Sequence, residues 1–277
     1  MLGIRELLDD RGLEVFDAHA HVGRYPYLDI PGNNTWDVDD TVRNLQVNME
    51  EHGVRRAVVS SFEGLCYNWP HANRALLGLQ HAHADVFYAF VSVHPHSEQA
   101  ASHLREAASA GGACGLKLHP TIQRFDPLCR EVQELMELCE ELAVPVLFHS
   151  GTKHWESSPD ALSRLAEAHP RVTFIFAHMG GASPHRMAER VRKLENVYLE
   201  TSTAGVAFDS LRRVVKTIGA ERVLYGSDFP CSSMAMELWR VLCAGLSAQD
   251  LGNVLCHNAL RLLRKRHPRT ASSDERP

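Results

Sequence analysis

Features typical of membrane, secreted and disulfide-stabilised proteins are missing from this sequence. No apolar stretch approaches the roughly 18 residues that a membrane-spanning helix needs, and the N-terminal segment MLGIRELLDDRG lacks the apolar core of a signal peptide. The 7 cysteines are scattered, odd in number and never spaced as CxxC, which favours free thiols over a disulfide framework. We therefore expect a cytoplasmic protein that keeps its thiols reduced and has no membrane partner.

An excess of positive charge is also missing. The chain carries 29 basic and 34 acidic residues, a formal net charge of -5, and no basic stripe stands out, so nucleic acid is not an expected partner. The one basic run, from Arg261 to Arg269, is interpreted as the exposed end of the last helix, where cations are favourable. The expected partner is a small-molecule substrate, and the sequence leaves open whether the chain forms a homo-oligomer.

Short apolar, β-branched runs recur along the whole chain. Near-continuous apolar runs of this length are typical of strands that are buried on both faces of a parallel sheet. Eight strands are predicted on this basis, and they cover residues 14–17, 56–60, 86–91, 114–118, 145–149, 172–176, 196–200 and 222–226.

Helical patterns separate most of these strands. Residues 127–142 place apolar side chains three and four apart, and Ser158 and Ser247 each stand where a helix cap is expected. Strands and helices that alternate eight times indicate an α/β protein, a single-domain (β/α)8 TIM barrel over residues 1–268. A doubly wound open sheet is the alternative, but no GxGxxG turn supports it. The polar segment 269–277 is expected to be a disordered tail.

Histidine is abundant, at 17 residues, and two histidines end the first predicted strand. Active sites of barrels form at the C-terminal ends of the strands. His19 and His21 are two residues apart on a strand, so both imidazoles point to one face and can reach one ion in the barrel mouth. The small residues Ala18 and Ala20 are expected to face the helices. This histidine pair is the first candidate for a metal site.

Three further strand ends carry residues that converge on the same mouth. His149 ends strand five, His178 strand six and Asp228 strand eight. Zinc and similar ions favour histidine nitrogens together with a carboxylate, and such an ion would activate a bound water and polarise a substrate carbonyl. The two other HxH patterns, at residues 81–83 and 94–96, are interpreted as a surface segment and as a strand end interrupted by proline.

Taken together, these residues resemble the amidohydrolase superfamily. The closest likeness is to the amidohydrolase-related branch that includes aminocarboxymuconate-semialdehyde decarboxylase and many small lactone hydrolases. The matching segments follow the family order, one per strand, over nearly the whole chain. They are DAHAHVG, GLKLHP, PVLFHSG, FIFAHMGG, VYLETST and LYGSDFP.

The resemblance implies a mononuclear metal site. His19, His21, His149 and Asp228 would hold one divalent ion, with zinc expected and manganese or another transition metal as alternatives. His178 would act as an acid or base towards the metal-bound water or the substrate, and Asp228 would have a second, catalytic role in accepting a proton.

Four further residues are candidate substrate contacts. Binuclear relatives carry a carboxylated lysine where Lys117 stands, so carboxylation would imply two ions; we favour an unmodified ammonium that orients the substrate. His119 shares the face of Lys117, and Glu200 ends strand seven. Arg24 lies in the long loop of residues 23–39, which is predicted to be a lid or a substrate wall.

The expected activity is hydrolysis of a small ester, lactone or amide by metal-activated water. The alternative uses the same ligands for the non-oxidative decarboxylation of a small aromatic or unsaturated acid. A non-catalytic metal-binding barrel is a third hypothesis, which is disfavoured because no expected ligand is missing. The sequence does not separate the first two activities, because both need the same residues around the ion, and it does not identify the substrate.

Overall fold

Eight parallel strands form the centre of the computed structural model, which describes residues 3–24, 38–66, 68–109, 112–203 and 209–263. Each strand pairs in parallel with the next one along the chain. All eight predicted strands are present, although the first two are longer than expected. They are β1 (Val15–Val22), β2 (Val54–Ser61), β3 (Phe87–Val91), β4 (Gly115–Leu118), β5 (Val146–Phe148), β6 (Phe174–Phe176), β7 (Val197–Glu200) and β8 (Val223–Leu224).

The segment that follows β8 closes the sheet against β1. The backbone N–H of Ala18 donates to the carbonyl of Tyr225 over 2.8 Å, and that of His21 donates to the carbonyl of Phe229 over 2.7 Å. Ala20 also pairs in parallel with Phe229. A sheet whose first and last strands are joined in this way is a barrel. The predicted (β/α)8 barrel is therefore confirmed, and the open doubly wound sheet is excluded.

Helices connect the strands. Ser158 and Ser247 cap helix starts as predicted, since their hydroxyls accept hydrogen bonds from the backbone N–H groups of Ala161 and Asp250. Among the described residues, no helix combines the length and the apolar character needed to cross a membrane. The helices are α1 (Ile4–Asp10), α2 (Val38–His52), α3 (Phe62–Cys66), α4 (Trp69–Ala82), α5 (Ala100–Ala108), α6 (Pro120–Gln123), α7 (Arg130–Glu141), α8 (Pro159–Ala168), α9 (Pro184–Val191), α10 (Asp209–Ile218), α11 (Met234–Leu242), α12 (Ala248–Gly252) and α13 (Asn258–Leu263).

Two apolar layers stabilise the barrel. The larger packs the outer faces of the strands against the helices, and the smaller brings together inward-facing side chains of several strands, among them Phe16, Val58, Phe90, Leu147, Ile175 and Leu224. The register of β1 shifts between Asp17 and Ala20, and Ala18 packs in the inner layer. The expectation that Ala18 faces the helices is therefore wrong, whereas Ala20 packs in the outer layer as expected.

Two predicted segments fall largely outside the described residues. Residues 25–37 of the predicted lid lie there, as do residues 264–277, which include the predicted tail. The histidines of the 81–83 pattern are exposed at the end of α4, as predicted. The 94–96 pattern is separated from the end of β3 by residues 92 and 93.

Candidate metal centre

His19 and His21 lie side by side in the mouth of the barrel. Both side chains are buried in β1, and their ring centroids are 4.8 Å apart. Asp228 follows β8, and its Oδ1 lies 3.6 Å from His19 Nε2 and 3.2 Å from His21 Nε2. The candidate ligand atoms of these three residues all lie within 4.8 Å of one another. The pair predicted from the first strand thus meets the carboxylate predicted from the last.

Polar side chains contact the Nδ1 atoms of the His19 and His21 rings. Glu200 Oε2 lies 2.8 Å from His19 Nδ1, and Ser60 Oγ lies 3.0 Å from His21 Nδ1. A partner on Nδ1 orients the ring and favours the tautomer in which Nε2 can bind an ion. Two imidazole nitrogens and a carboxylate oxygen suit zinc, manganese or a similar ion. The residues present therefore fit a divalent metal.

His178 and His149 face each other beside this cluster. His178 Nε2 lies 3.1 Å from His149 Nδ1, and His178 Nδ1 lies 3.0 Å from the carbonyl oxygen of Ser202. Because a carbonyl only accepts hydrogen bonds, the neutral His178 ring carries its proton on Nδ1 and presents a lone pair at Nε2. His149 lines the same cavity as the cluster, and its predicted role as a fourth ligand stays a prediction.

Burial lowers the pKa of five histidines around this cluster. It lowers the pKa of His21 to about 4, and the neighbouring Lys117 ammonium adds to the effect of burial on several of the others. The neutral imidazole is the form that binds metal ions, so the site favours metal binding over protonation at neutral pH. The other four histidines with a lowered pKa are His19, His119, His149 and His178.

Lys117 places an ammonium among these imidazoles. Its Nζ lies 2.8 Å from His19 Nε2. Burial lowers the pKa of Lys117 to about 8, and the Asp228 carboxylate acts in the opposite direction. At neutral pH Lys117 is therefore protonated in most molecules. Burial would raise the pKa of Asp228, but the hydrogen bond with His21 and the nearby positive charges lower it. The small cavity around the candidate ligands is therefore lined by one ammonium and one ionised carboxylate among the described residues.

Glu200, a predicted substrate contact, lies behind His19. Its side chain is fully buried and lines neither of the two mouth cavities described below. Its Oε2 also accepts hydrogen bonds from Ser202 Oγ over 2.8 Å and from the backbone N–H of His178 over 3.3 Å. Burial raises the pKa of Glu200 to about 8. This position favours a role in holding His19 over the predicted contact with substrate.

The other two predicted substrate contacts differ in their surroundings. His119 stacks on His149 with ring centroids 3.8 Å apart and lines the cavity that contains the cluster. Arg24 is half-buried just after β1 and, in the part of the chain that is described, does not line either mouth cavity. The structure therefore brings His119 and Lys117 to the centre and leaves Arg24 at its margin.

Two adjoining cavities open at this mouth. A small one of about 140 Å³ is lined by the candidate ligands, Lys117, His119 and the apolar side chains of Phe62 and Ile122. A larger one of about 480 Å³ shares His149, His178 and Asp228 with it. Most residues that line the larger cavity have polar side chains, among them Thr121, Thr152, Lys153, Ser157 and Thr203. The larger cavity therefore offers a small molecule a route to the candidate ligands.

Two of the candidate catalytic residues have left-handed backbone conformations. The φ angle is 60° at His178 and 53° at Asp228. Residues other than glycine rarely adopt this region of backbone conformation. Hydrogen bonds maintain both: the Gly181 N–H donates to the His178 carbonyl over 2.7 Å, and the Asp228 N–H donates to the His19 carbonyl over 2.8 Å. Such strained residues concentrate at functional sites.

Sequence reasoning missed the buried residues that support the cluster. Asp17 accepts hydrogen bonds from the backbone N–H groups of His19 and Ser227, over 3.0 and 2.9 Å, and from the Ser227 hydroxyl. It thereby ties β1 to the segment that carries Asp228, and burial raises its pKa to about 7. The sequence could have indicated Asp17 and Ser227, because they lie next to the predicted ligands in DAHAH and GSDFP. Nothing in the sequence singled out Ser60.

The family model for amidohydrolases matches residues 16–265. The chain belongs to the amidohydrolase family. This confirms the resemblance predicted from the strand-end motifs. No protein with curated annotation matches the chain.

Solved structures of several decarboxylases share the fold of this chain. 5-carboxyvanillate decarboxylase from Sphingomonas paucimobilis has 17% identity and a TM-score of 0.72, over 91% of this chain and 99% of that one. 2,6-dihydroxybenzoate decarboxylase from Rhizobium has 16% identity and a TM-score of 0.71, over 91% and 99%. The Novosphingobium aromaticivorans 5-carboxyvanillate decarboxylase, solved with manganese and a nitrobenzoic acid, has 15% identity and a TM-score of 0.71, over 92% and 97%. At these identities the likeness establishes the barrel fold.

Proposed function

We propose that this protein is a metal-dependent decarboxylase of a small, unsaturated or aromatic acid. The observation that carries the proposal is the Lys117 ammonium, buried 2.8 Å from His19 Nε2. Asp228 is the one carboxylate among the described residues that line the small cavity. A divalent ion would add two positive charges, so the occupied site would carry a clear excess of positive charge. Such a site attracts an organic acid more strongly than a neutral ester or amide.

The metal cluster and Lys117 would act together on the acid. His19, His21 and Asp228 would hold the ion, and His149 is the proposed fourth ligand. When bound, the ion supplies positive charge that orients the acid and stabilises negative charge developing on it. The Lys117 ammonium donates to the Nε2 lone pair of His19. If His19 uses that lone pair for the metal, the ammonium is released to bind the carboxylate of the substrate.

The proton that replaces the carboxylate would come from His178. Decarboxylation forms a C–H bond at the carbon that bears the carboxylate. The bond to carbon dioxide then breaks, and its electron pair returns to the unsaturated system. His178 lines both mouth cavities, its Nδ1 is fixed on the Ser202 carbonyl, and its Nε2 lies 3.1 Å from His149 Nδ1. A proton gained at Nε2 would pass to a substrate that takes the place of His149 at this nitrogen. A bound acid anion favours the protonated ring, which water then restores after each turnover.

The shape and polarity of the cavities suggest which acids fit. Phe62 stacks on His21 with ring centroids 4.1 Å apart, and with Ile122 it gives the small cavity an apolar wall against which an unsaturated carbon frame can pack. The hydroxyls and Lys153 of the larger cavity suit polar substituents on the far side of the substrate. We therefore expect hydroxylated or carboxylated aromatic acids to react faster than unsubstituted ones. The structural neighbours named above act on acids of this kind.

Hydrolysis of a small ester, lactone or amide is the second candidate. It is supported by the lone pair that neutral His178 presents at Nε2, which can accept a proton from water. The same cluster can activate that water. The excess of positive charge at the occupied site is the reason to rank this activity below decarboxylation.

One substrate panel tests both activities. Protein loaded with manganese or with zinc is assayed for carbon dioxide release from hydroxylated and carboxylated aromatic acids, and for ring opening of a matched set of lactones. Decarboxylation of one or more acids that is lost on metal removal supports the proposal. Lactone hydrolysis without carbon dioxide release would overturn it in favour of the second candidate.

A lysine substitution tests the role of Lys117. Lys117→Met should raise KM for the acid at least tenfold, since a charged hydrogen bond contributes about 1.5–3 kcal/mol, and should leave the bound metal in place. Lys193→Met is the matched control, because Lys193 is exposed and lines neither mouth cavity. An unchanged KM in Lys117→Met, with metal still bound, would refute the assignment.

A further inference from the structure

A second group of metal-binding side chains lies outside the barrel mouth described above. His96 follows β3, Cys129 precedes α7 and Glu131 lies in the first turn of α7. Their candidate ligand atoms, an imidazole nitrogen, a thiol sulfur and a carboxylate oxygen, all lie within 4.8 Å of one another. His96 Nδ1 lies 3.9 Å from Glu131 Oε2. We propose that His96, Cys129 and Glu131 form a second zinc site, distinct from the mouth centre.

The three donors suit zinc in kind and in spacing. Zinc combines thiolate, imidazole and carboxylate ligands, and its ligand atoms lie about 3.3–3.8 Å apart in tetrahedral geometry. The 3.9 Å between His96 and Glu131 therefore needs to shorten by only about half an ångström. A manganese or magnesium ion would bind poorly, because both prefer oxygen ligands. The nitrogen and sulfur ligands of this site therefore favour zinc over manganese and magnesium.

The local surroundings leave room for such an ion. His96 and Glu131 line a cavity of about 320 Å³ between the segment after β3 and the start of α7. Cys129 is half-buried, and the pKa of Glu131 is lowered by a hydrogen bond from its own backbone N–H and, to a smaller extent, by one from the Cys129 thiol. Zinc would replace the thiol proton, which passes to solvent, and the sulfur and the carboxylate would then share the ion in place of that proton. Water would complete the coordination.

Occupation of this site would add a metal bridge between two segments. His96 belongs to the connection after β3, whereas Cys129 and Glu131 belong to the start of α7. Both segments follow the C-terminal ends of strands, on the same side of the barrel as the mouth. Bound zinc would therefore stabilise the rim of the barrel, and a chain saturated with zinc should unfold at a higher temperature than one with only its mouth centre filled.

Cobalt(II) provides a direct probe, because a cysteine thiolate bound to it gives an intense charge-transfer absorption in the near ultraviolet. Metal-depleted full-length protein is titrated with Co²⁺. We expect this band to develop in the wild-type chain. It should be absent in Cys129→Ser and at least tenfold weaker at matched Co²⁺ in His96→Gln. Serine is a favoured residue at the start of a helix, so Cys129→Ser should keep α7 intact, which circular dichroism verifies.

A cysteine at the mouth supplies the matched control. Cys231 lines the small mouth cavity, so Cys231→Ser removes the one thiol beside the mouth centre among the described residues. Retention of the band in Cys231→Ser supports the proposal, as does one fewer equivalent of bound zinc in Cys129→Ser than in wild type. A band lost in Cys231→Ser and kept in Cys129→Ser would overturn it, as would no band in the wild-type chain. Neither result depends on the activity of the mouth centre.

Discussion

Replacement of Glu200 by glutamine tests whether this buried residue holds His19 or contacts the substrate. Four donors converge on its carboxylate. The Ser202 backbone N–H donates to Oε1, while His19 Nδ1, Ser202 Oγ and the His178 N–H approach Oε2. Glutamine has the same shape but only one acceptor oxygen. With that oxygen in the Oε2 position, the amide nitrogen faces the Ser202 N–H; the opposite orientation sacrifices the other three contacts.

The magnitude follows from these contacts. The better glutamine orientation leaves one buried donor without an acceptor, which costs about 1–3 kcal/mol of folding free energy. It also replaces the carboxyl group that contacts His19 Nδ1 with an amide. Loss of such a partner behind a metal-binding histidine weakens metal affinity by about 10–100-fold. We therefore expect Glu200→Gln to fold, to bind zinc or manganese at least about tenfold more weakly, and to show an unchanged KM for substrate once the metal is saturating.

Metal affinity and KM are measured separately to decide between the two roles. The dissociation constant is obtained by competition with a chromophoric chelator, and KM is measured at saturating metal. Glu195→Gln is the control, because Glu195 is an exposed glutamate that lines neither mouth cavity. Wild-type metal affinity combined with a raised KM would refute the positioning role and restore the substrate contact that the sequence predicts.

Three further predictions follow from the same cluster. Ser60→Ala removes the hydroxyl 3.0 Å from His21 Nδ1 and should weaken metal binding about tenfold without a change in circular dichroism; an unaltered dissociation constant would contradict it. Asp228→Asn should abolish turnover and largely retain the fold, because the cluster loses its one carboxylate; turnover at the wild-type rate would argue against any proton or ligand role. Metal-free wild-type protein should lose stability relative to Glu200→Gln as the pH rises from about 4 to 8, because burial raises the pKa of Glu200 to about 8. The unfolded chain releases this proton near the ordinary value of 4.5, whereas the folded chain retains it until higher pH; the buried histidines contribute equally to both proteins. Urea unfolding of both proteins across this range measures the difference; a difference that stays constant or grows in favour of wild type would contradict the assignment.

The barrel and the position of its candidate metal ligands were predictable because they depend on local patterns. Apolar runs gave all eight strands, and the carboxyl ends of parallel strands meet at one mouth whatever the details of packing. His19 and His21 share a face because strands have a period of two. Asp228 could be placed opposite them from its position after the last strand. None of these inferences required knowledge of a specific side-chain contact.

The supporting residues could not be predicted in the same way. The pairing of Glu200 with His19 and of Ser60 with His21 depends on which rotamers the packed barrel allows. Whether Glu200 faces the cavity or lies behind His19 changes its role, and a position at a strand end leaves both arrangements open. The inward position of Ala18 results from a register shift in β1, which no alternation pattern reveals. Long-range packing, not residue type, decides these cases.

The same metal cluster can serve hydrolysis or decarboxylation because the two reactions differ mainly in the direction of proton transfer. Hydrolysis needs a base that takes a proton from water, so it favours neutral His178. Decarboxylation needs an acid that gives a proton to carbon, so it favours the protonated ring. The pKa of His178 in the bound state therefore determines the activity. Burial lowers that pKa, while the Asp228 carboxylate raises it, and an anionic substrate would raise it further. An acid bound to Lys117 thus generates the protonation state that its own decarboxylation requires, whereas a neutral lactone in the same place leaves His178 as a base.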